Sequence, residues 1–278
     1  MSRRPLLTFS QYTESIERKD DYADVSVDAI SGSNTDTTIS TYQPEKLRST
    51  ADKSKTLGYR VYYAYPYHSS DEITDLLKSL KGTGSLKIDR ARLDIFLDKT
   101  AKYMAKTLKG NIDVVVCPHS SAPLARTFAY KLGKHLDVEV IYDAFYKQKI
   151  TIPENKDDAI AYIINNFIDI KRFRESYKAK TPEDLNEALR KLAAGILRSV
   201  KKSGKVELKL LYKPTAKFAA NFLNSEVHVK HRLFNQRVLV ADDSFSSGGT
   251  MMEIFRQAAD QMGAKELYGA VIFMQKSK

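Results

Sequence analysis

Residues 238–250 read Val238-Leu239-Val240-Ala241-Asp242-Asp243-Ser244-Phe245-Ser246-Ser247-Gly248-Gly249-Thr250. The apolar run 238–241 predicts a strand of a parallel sheet, because a strand covered on both faces is hydrophobic throughout rather than at alternate positions. Asp242 and Asp243 are then expected at the C-terminal end of this strand. In open α/β sheets, ligands bind at that edge.

The turn that follows, residues 246–250, suits a phosphate group. Gly248 and Gly249 let the backbone approach an anion closely, and the neighbouring hydroxyl groups and the first free amides of the next helix donate hydrogen bonds. A helix is predicted after the turn, with apolar residues on one face and Gly263 at its end. A phosphate-binding turn beside two carboxylates predicts a ligand with a phosphate at one end and a diol at the other, such as a sugar 5-phosphate.

These thirteen residues resemble the signature with which type I phosphoribosyltransferases bind 5-phosphoribosyl 1-pyrophosphate (PRPP). The resemblance implies an α/β fold of the type I phosphoribosyltransferase class, with a mainly parallel, Rossmann-like sheet flanked by helices. It implies transfer of the 5-phosphoribosyl group from PRPP to a nitrogenous, nucleobase-like acceptor, with release of pyrophosphate. A PRPP synthetase shares the signature, but the chain shows no second half-repeat and no clear ATP site.

Roles for individual residues follow from the same resemblance. Asp242 and Asp243 are the implied catalytic residues, which contact the ribose 2- and 3-hydroxyls. The 5-phosphate is expected to be bound by Ser244, Phe245, Ser246, Ser247, Gly248, Gly249 and Thr250. The alternative is an ordinary solvated turn with a pair of acidic residues beside a helix.

The resemblance also implies Mg²⁺ as the cofactor. The ion would bridge the pyrophosphate and the ribose hydroxyls and neutralise the leaving group, and Asp242 and Asp243 would shape its site indirectly, through hydroxyls or water. A mobile loop closes over the ligand in such enzymes and excludes water. Tyr146, Lys147 and Lys149 are the candidates for this role.

A second loop, at residues 118–125, precedes another predicted helix. The resemblance implies that it binds pyrophosphate through His119, Ser120 and Ser121, aided by the helix N-terminus. The loop departs from the family pattern, which often has a lysine or arginine and a glycine here. His119 is either a phosphate donor or general acid, or else a capping or solvated histidine.

The motif also narrows the range of acceptors. Enzymes that use 6-oxopurines carry an aspartate where this chain has Ser246, and a serine is not a base near neutral pH without an activating partner. A hypoxanthine or guanine enzyme is therefore not expected. Phe245 either stacks on a ring or belongs to the core.

The layout before the motif, with Ala64-Tyr65-Pro66-Tyr67 and Cys117-Pro118, is similar to competence-associated (ComF-like) phosphoribosyltransferase-like proteins. The resemblance covers residues 60–145 and 226–275. Those relatives usually have an N-terminal zinc ribbon, which a chain with one cysteine cannot form.

Composition along the chain predicts its domain organisation. Residues 1–56 have little hydrophobic periodicity and are expected to form an extended or disordered arm. Residues 57–278 are expected to form the phosphoribosyltransferase-like domain, with a helical basic insertion at 145–225 in the position of the mobile loop. Alternation of helices with strands predicts a parallel sheet. The predicted strands are residues 60–67, 112–116, 138–142, 206–212, 226–229, 238–241 and 268–274.

The net charge of +11 is concentrated in one segment. Residues 171–220 contain 14 lysines and arginines against 5 acidic residues, a net charge of +9. Such a segment attracts anions, either phosphorylated small molecules or nucleic acid. It is equally typical of a solvated helix face whose lysines complement the helix dipole. A second functional hypothesis is therefore a non-catalytic protein on the same fold, which senses PRPP or a nucleotide or binds nucleic acid.

The remaining composition predicts a soluble, cytoplasmic protein. No apolar run approaches the length of a membrane span, and the N-terminus lacks the apolar segment of a secretion signal. The single cysteine, Cys117, excludes an intramolecular disulfide. The expected partners are PRPP and a small acceptor, without a membrane, and a homo-oligomer is compatible with the sequence.

Overall fold

A computed structural model of the chain describes residues 16–19, 22–25, 40–42, 47–48, 56–57, 59–68, 71–119, 123–179, 181–211, 213–246 and 248–275. The chain divides into two compact units. Unit 1 comprises Met1–Ala144, Val227–Ser246 and Ala258–Lys278, and unit 2 comprises Phe145–Glu226 and Ser247–Gln257. The insertion predicted at residues 145–225 lies within the first segment of unit 2.

The strands, in chain order, are β1 (Ile16–Lys19), β2 (Tyr22–Val25), β3 (Ser40–Tyr42), β4 (Leu47–Arg48), β5 (Thr56–Leu57), β6 (Tyr59–Tyr67), β7 (Lys87–Ile88), β8 (Val114–Val116), β9 (Glu139–Ile141), β10 (Phe145–Lys147), β11 (Leu223–Ser225), β12 (Arg237–Phe245) and β13 (Glu266–Gln275). The helices are α1 (Asp71–Leu80), α2 (Arg90–Leu108), α3 (Pro123–Leu136), α4 (Lys156–Phe167), α5 (Ile170–Ser176), α6 (Pro182–Ser203), α7 (Lys213–Ala216), α8 (Val227–Leu233) and α9 (Gly249–Asp260). A short 3₁₀ helix spans Leu208–Leu210.

The main sheet of unit 1 has six strands in the order β3-β6-β13-β12-β8-β9. All neighbours are parallel except β3, which pairs antiparallel with β6 at the edge. The run 238–241 is fully buried within β12, as expected for a strand covered on both faces. The predicted α/β class with a mostly parallel sheet is therefore confirmed, and the arrangement is compatible with a Rossmann-like fold.

The order of the strands creates a switch point in the sheet. β8 continues through α3 to β9 on one side, whereas β12 continues through α9 to β13 on the other. The carboxyl ends of the adjacent strands β8 and β12 are therefore the place where an open α/β sheet binds ligands.

One face of the sheet is covered by α1, α2 and α3. Apolar side chains at helical spacing pack there against the strands, among them Phe96, Met104, Phe128 and Leu132. The predicted arm, residues 1–56, contributes β1 and β2, which form an antiparallel pair, and β3 at the edge of the main sheet. No helix among the described residues has the length and apolar character to cross a bilayer.

Unit 2 contains the helices α4, α5 and α6 and the antiparallel pair β10–β11. The sequence Thr181-Pro182-Glu183-Asp184 predicts the start of a helix and Gly204 its end, and α6 confirms this prediction. The Thr181 hydroxyl accepts a hydrogen bond from the backbone N–H of Asp184, and Gly204 ends the helix with φ of 68°.

Two predicted strands in this region were wrong. Residues 206–211 contain the 3₁₀ helix instead of a strand, and residue 212 lies outside the described residues. The Ser199 hydroxyl accepts from the backbone N–H of Glu207, which draws this segment onto α6. Residues 226–229 overlap α8, in which Val227 is exposed and Val229 is buried. Valines favour strands only where a pleated surface receives them.

Candidate functional site

Asp242 and Asp243 lie near the carboxyl end of β12, in the middle of the sheet. β12 pairs with β13 as far as Phe245, so the strand runs past both acids instead of ending before them. Asp243 is buried, whereas Asp242 is partly exposed. Because successive side chains of a strand point to opposite faces, the two carboxylates have different surroundings.

Lys81 is the counter-ion of Asp243. Its Nζ lies 2.7 Å from Oδ1 of Asp243 and 3.4 Å from Oγ of Ser244. The Ser244 hydroxyl donates to the same Oδ1 over 2.6 Å. Lys81 directly follows α1, and Gly82, with φ of 79°, turns the chain after it. Lys81 was not predicted, because it belongs to no motif and meets Asp243 only through the fold.

Asp242 is held in a form that takes up a proton easily. Burial raises the pKa of Asp242 to about 7, and the charge of Asp243 adds to this effect. Its Oδ1 accepts a hydrogen bond from the backbone N–H of Asp243 over 2.8 Å, which opposes the rise only in part. A carboxyl group with such a pKa at a ligand-binding edge is typical of a functional residue.

Tyr67 and Cys117 contribute two neutral groups to this edge. Burial raises the pKa of Tyr67 to about 12, with the charge of Asp243 as the second cause. Burial also raises the pKa of Cys117 to about 12, with Asp242 and then Asp143 as the next causes. Cys117 is therefore a protonated thiol at neutral pH, which is unsuited to act as a nucleophile.

His119, Arg126 and Asp143 form a cluster at the carboxyl ends of β8 and β9. Nδ1 of His119 lies 3.1 Å from Oδ1 of Asp143, and Nη1 of Arg126 donates to Oδ2 over 3.0 Å. Asp143 has a φ of 53°, and the backbone N–H of Ala144 donates to the carbonyl of Cys117, which holds this turn beside the loop. Of the predicted pyrophosphate residues, His119 is in this cluster, whereas Ser120 and Ser121 lie outside the described residues.

Arg126 supplies the positive charge that the loop sequence lacks. It lies in the first turns of α3, and its guanidinium group is 5.1 Å from the ring centre of Tyr142. Arg126 was not predicted, because the family pattern has its basic residue inside the loop, whereas Arg126 lies four positions beyond Ala122. Arg126 and His119 both contact the carboxylate of Asp143, which brings the two side chains to the same cluster.

The predicted phosphate turn is shorter than expected. Ser244 and Phe245 belong to β12, and Phe245 is buried, so the structure favours core packing for its ring. Ser246 is exposed, and Ser247 lies outside the described residues. Gly248 has a φ of 74°, and its carbonyl accepts from the backbone N–H of Met252. Gly249 and Thr250 start α9, as a turn that presents helix amides to an anion requires.

The mobile-loop candidates lie in folded parts of unit 2. Tyr146 and Lys147 belong to β10, where Tyr146 pairs with Asn224. Nζ of Lys147 lies 2.7 Å from Oε2 of Glu207. The backbone of Lys149 forms an isolated antiparallel β-bridge with that of Lys205. Tyr146 and Lys147, which were expected in a mobile loop, lie in a paired strand. Its partner strand at residues 223–225 was not predicted from the sequence.

The residues of the site fit an indirect role toward Mg²⁺. Among the described residues, no group of three or more His, Cys, Asp or Glu could hold a metal ion. Asp243 is already paired with Lys81, which leaves Asp242 as the accessible carboxylate of the pair. Mg²⁺ usually keeps water and substrate oxygens as most of its ligands. An ion carried by a pyrophosphate ligand therefore fits this site.

No protein-family model matches this chain, and no curated protein is significantly similar to it.

Proposed function

We propose that the chain is a PRPP-dependent phosphoribosyltransferase of the type I class. The nitrogen of a nucleobase-like acceptor attacks C1 of PRPP, the bond from C1 to the pyrophosphate oxygen breaks, and pyrophosphate leaves. The observation that carries the proposal is the position of Asp242 and Asp243. They lie on β12 at the switch point of the main sheet, the place where an open α/β sheet binds ligands.

The two acids would have different roles. Asp242 is the accessible carboxylate, and in its charged form it would accept hydrogen bonds from the ribose hydroxyls. Asp243 would act from its ion pair, in which Lys81 would hold its carboxylate in place. Lys81 is thus a positioning residue for the ribose site.

His119 and Arg126 would bind the pyrophosphate. Both side chains are roughly half exposed and hydrogen-bond to Asp143, which orients them beside the loop after β8. When bound, Mg²⁺ would neutralise charge on the leaving group. The ion would be held by PRPP oxygens and reach Asp242 through hydroxyls or water.

Calorimetry with PRPP, ribose 5-phosphate and pyrophosphate, each with Mg²⁺, tests the proposal. We expect PRPP to bind, and Asp242→Asn to weaken it by about tenfold or more, because a hydrogen bond to a charged group contributes about 1.5–3 kcal/mol. Asp137→Asn is the matched control. It removes one carboxylate from an exposed turn whose φ of 59° asparagine also tolerates.

The outcomes separate the functional hypotheses. Absence of heat from PRPP with the wild-type protein would contradict the ribose 5-phosphate site. Equal affinity of Asp242→Asn and wild type would remove Asp242 from it. Binding of PRPP without release of pyrophosphate in the presence of a panel of nucleobases would favour the sensor hypothesis over the enzyme.

A further inference from the structure

Unit 2 carries a cluster of cations at the C-terminal end of α6. We call Lys149, Arg198, Lys201, Lys202 and Lys205 the basic cluster. All but Lys205 are exposed, and Lys205 is half-buried. The fold assembles the cluster, since Lys149 comes from the segment after β10 and the others come from α6 and the residues that follow it.

Hydrogen bonds fix these segments against each other. The backbone N–H of Ile150 donates to the carbonyl of Gly204 over 3.1 Å, and Lys149 faces Lys205 in an antiparallel bridge. The Ser203 hydroxyl donates to the carbonyl of Lys205 over 2.7 Å. These contacts hold the segment of Lys149 beside the C-terminal end of α6.

The charge of the cluster is not neutralised within the described parts of the chain. None of its five members has a carboxylate partner there. The nearby acid, Glu207, is bound by two other lysines, with Oε2 at 2.7 Å from Nζ of Lys147 and 3.6 Å from Nζ of Lys209. A complement to the helix dipole would explain Lys201 and Lys202. It does not explain why Lys149 lies opposite Lys205, since like charges directly opposite each other are destabilising.

The surroundings of the cluster favour an extended polyanion. A small phosphate site would require a pocket with buried polar groups, whereas these cations are spread over an exposed surface. A membrane-surface helix needs a free apolar face, but α6 buries its apolar residues within the protein. We propose that the basic cluster of unit 2 binds the phosphate backbone of a nucleic acid. This proposal does not depend on phosphoribosyl transfer.

Fluorescence anisotropy with labelled single-stranded DNA and RNA of about 20 nucleotides, between about 50 and 200 mM salt, tests the proposal. The variant to compare is Lys149→Gln/Lys201→Gln/Lys202→Gln/Lys205→Gln. Because each phosphate contact adds about 0.7 to the salt slope for a single strand, we expect the slope of this variant to fall by about 3.

The matched control is Lys102→Gln/Lys106→Gln/Lys109→Gln/Lys134→Gln, which removes the same charge from exposed lysines of α2 and α3 and of the residue after α2. We expect it to keep nearly the wild-type slope. The proposal is overturned if the wild type does not bind, if both variants lose slope equally, or if the wild type binds vesicles containing phosphatidylserine but neither oligonucleotide.

A thermal melt guards against loss of fold. The variant Lys149→Gln/Lys205→Gln removes the two facing charges, so we expect a melting temperature equal to or above that of the wild type. If this folded double variant binds with the wild-type slope, the facing lysines are not part of the site and the proposal fails.

Discussion

Asp242 and Asp243 are adjacent in sequence but differ in their electrostatic surroundings. Lys81 balances the charge of the buried Asp243, whereas the pKa of Asp242 is raised to about 7, first by burial and then by Asp243. A pair of identical residues thus provides one fixed anion and one group that titrates near neutral pH. This difference gives separate predictions for the two positions.

The stability of the protein should depend on pH through Asp242. Its folded-state pKa lies above the ordinary value of 3.8, so the folded protein binds the proton more tightly than the unfolded chain. The contribution of Asp242 to the free energy of unfolding is therefore complete below about pH 4 and is lost as the pH rises to about 7. The loss has a ceiling of roughly 4 kcal/mol, and the partial exposure of Asp242 makes a smaller value expected.

Urea unfolding at about pH 5 and about pH 8 measures this effect. Asparagine resembles the protonated acid and does not titrate, so the stability of Asp242→Asn should exceed that of the wild type by more at the higher pH than at the lower pH. Parallel pH profiles of the two proteins would show that Asp242 is not the titrating group.

Lys81→Met should destabilise the protein by about 1–3 kcal/mol, because it leaves a buried carboxylate without its counter-ion. The side chain of Lys81 is 30% exposed, which keeps the expected loss below that of a fully buried pair. Millimolar Mg²⁺ should then raise the melting temperature of Lys81→Met, since the ion replaces the missing charge.

The control for this prediction is Lys78→Met, which removes an exposed lysine from α1, the helix that Lys81 directly follows. Neither Lys78→Met nor the wild type should respond to Mg²⁺ in the absence of PRPP. An equal response of all three proteins would mean that the ion binds elsewhere.

At the scale of elements, two glycines inside helices offer a direct comparison. A Cβ at Gly133 in α3 would lie 2.2 Å from Cγ2 of Val140 and 3.2 Å from the carbonyl oxygen of Val138. A Cβ at Gly195 in α6 would meet nothing within 4 Å. The close packing of α3 onto the strand β9 therefore depends on the absence of a side chain at Gly133. At Gly195 in α6 there is room for a methyl group.

We expect Gly195→Ala to raise the free energy of unfolding by about 0.5–1 kcal/mol, because alanine is the better helix former. Gly133→Ala gains the same propensity but should lower it by about 1–3 kcal/mol through overpacking. Denaturant unfolding of both variants checks this. A stabilised Gly133→Ala would show that α3 can shift away from Val140 at little cost.

At the scale of the molecule, β13 joins the two halves of the main sheet. It lies between β6 and β12 and pairs with both of them, whereas β6 and β12 are not neighbours in the main sheet. A chain that ends at Lys265 should therefore lose the cooperative unfolding transition, as followed by far-UV circular dichroism.

Val271→Ala is the control, since it keeps the strand and truncates one fully buried side chain. It should unfold cooperatively with a loss of about 2 kcal/mol. A cooperative transition in the truncated chain would show that β6 and β12 find another arrangement.

Much of the fold could be predicted because its signals are local. α6 was identified from Thr181 and Pro182 at its start and Gly204 at its end, and β12 from its unbroken apolar run. The strand predicted at residues 206–212 was wrong, since an alternation of apolar and charged residues is typical of a strand whether or not a partner strand exists. The position of Asp242 and Asp243 near the carboxyl end of β12 followed from the strand prediction and the direction of the chain.

Local sequence thus specified the elements, the two acids and the glycine turn, because backbone propensity, hydrophobic period and capping act over a few residues. It did not specify the strand order, the pairing of Lys81 with Asp243, or the cluster of His119, Arg126 and Asp143. Nor did it show that Lys149 faces Lys205. These contacts join segments that are far apart along the chain, and only the packing of the folded chain brings such groups together and sets their charges and pKa values.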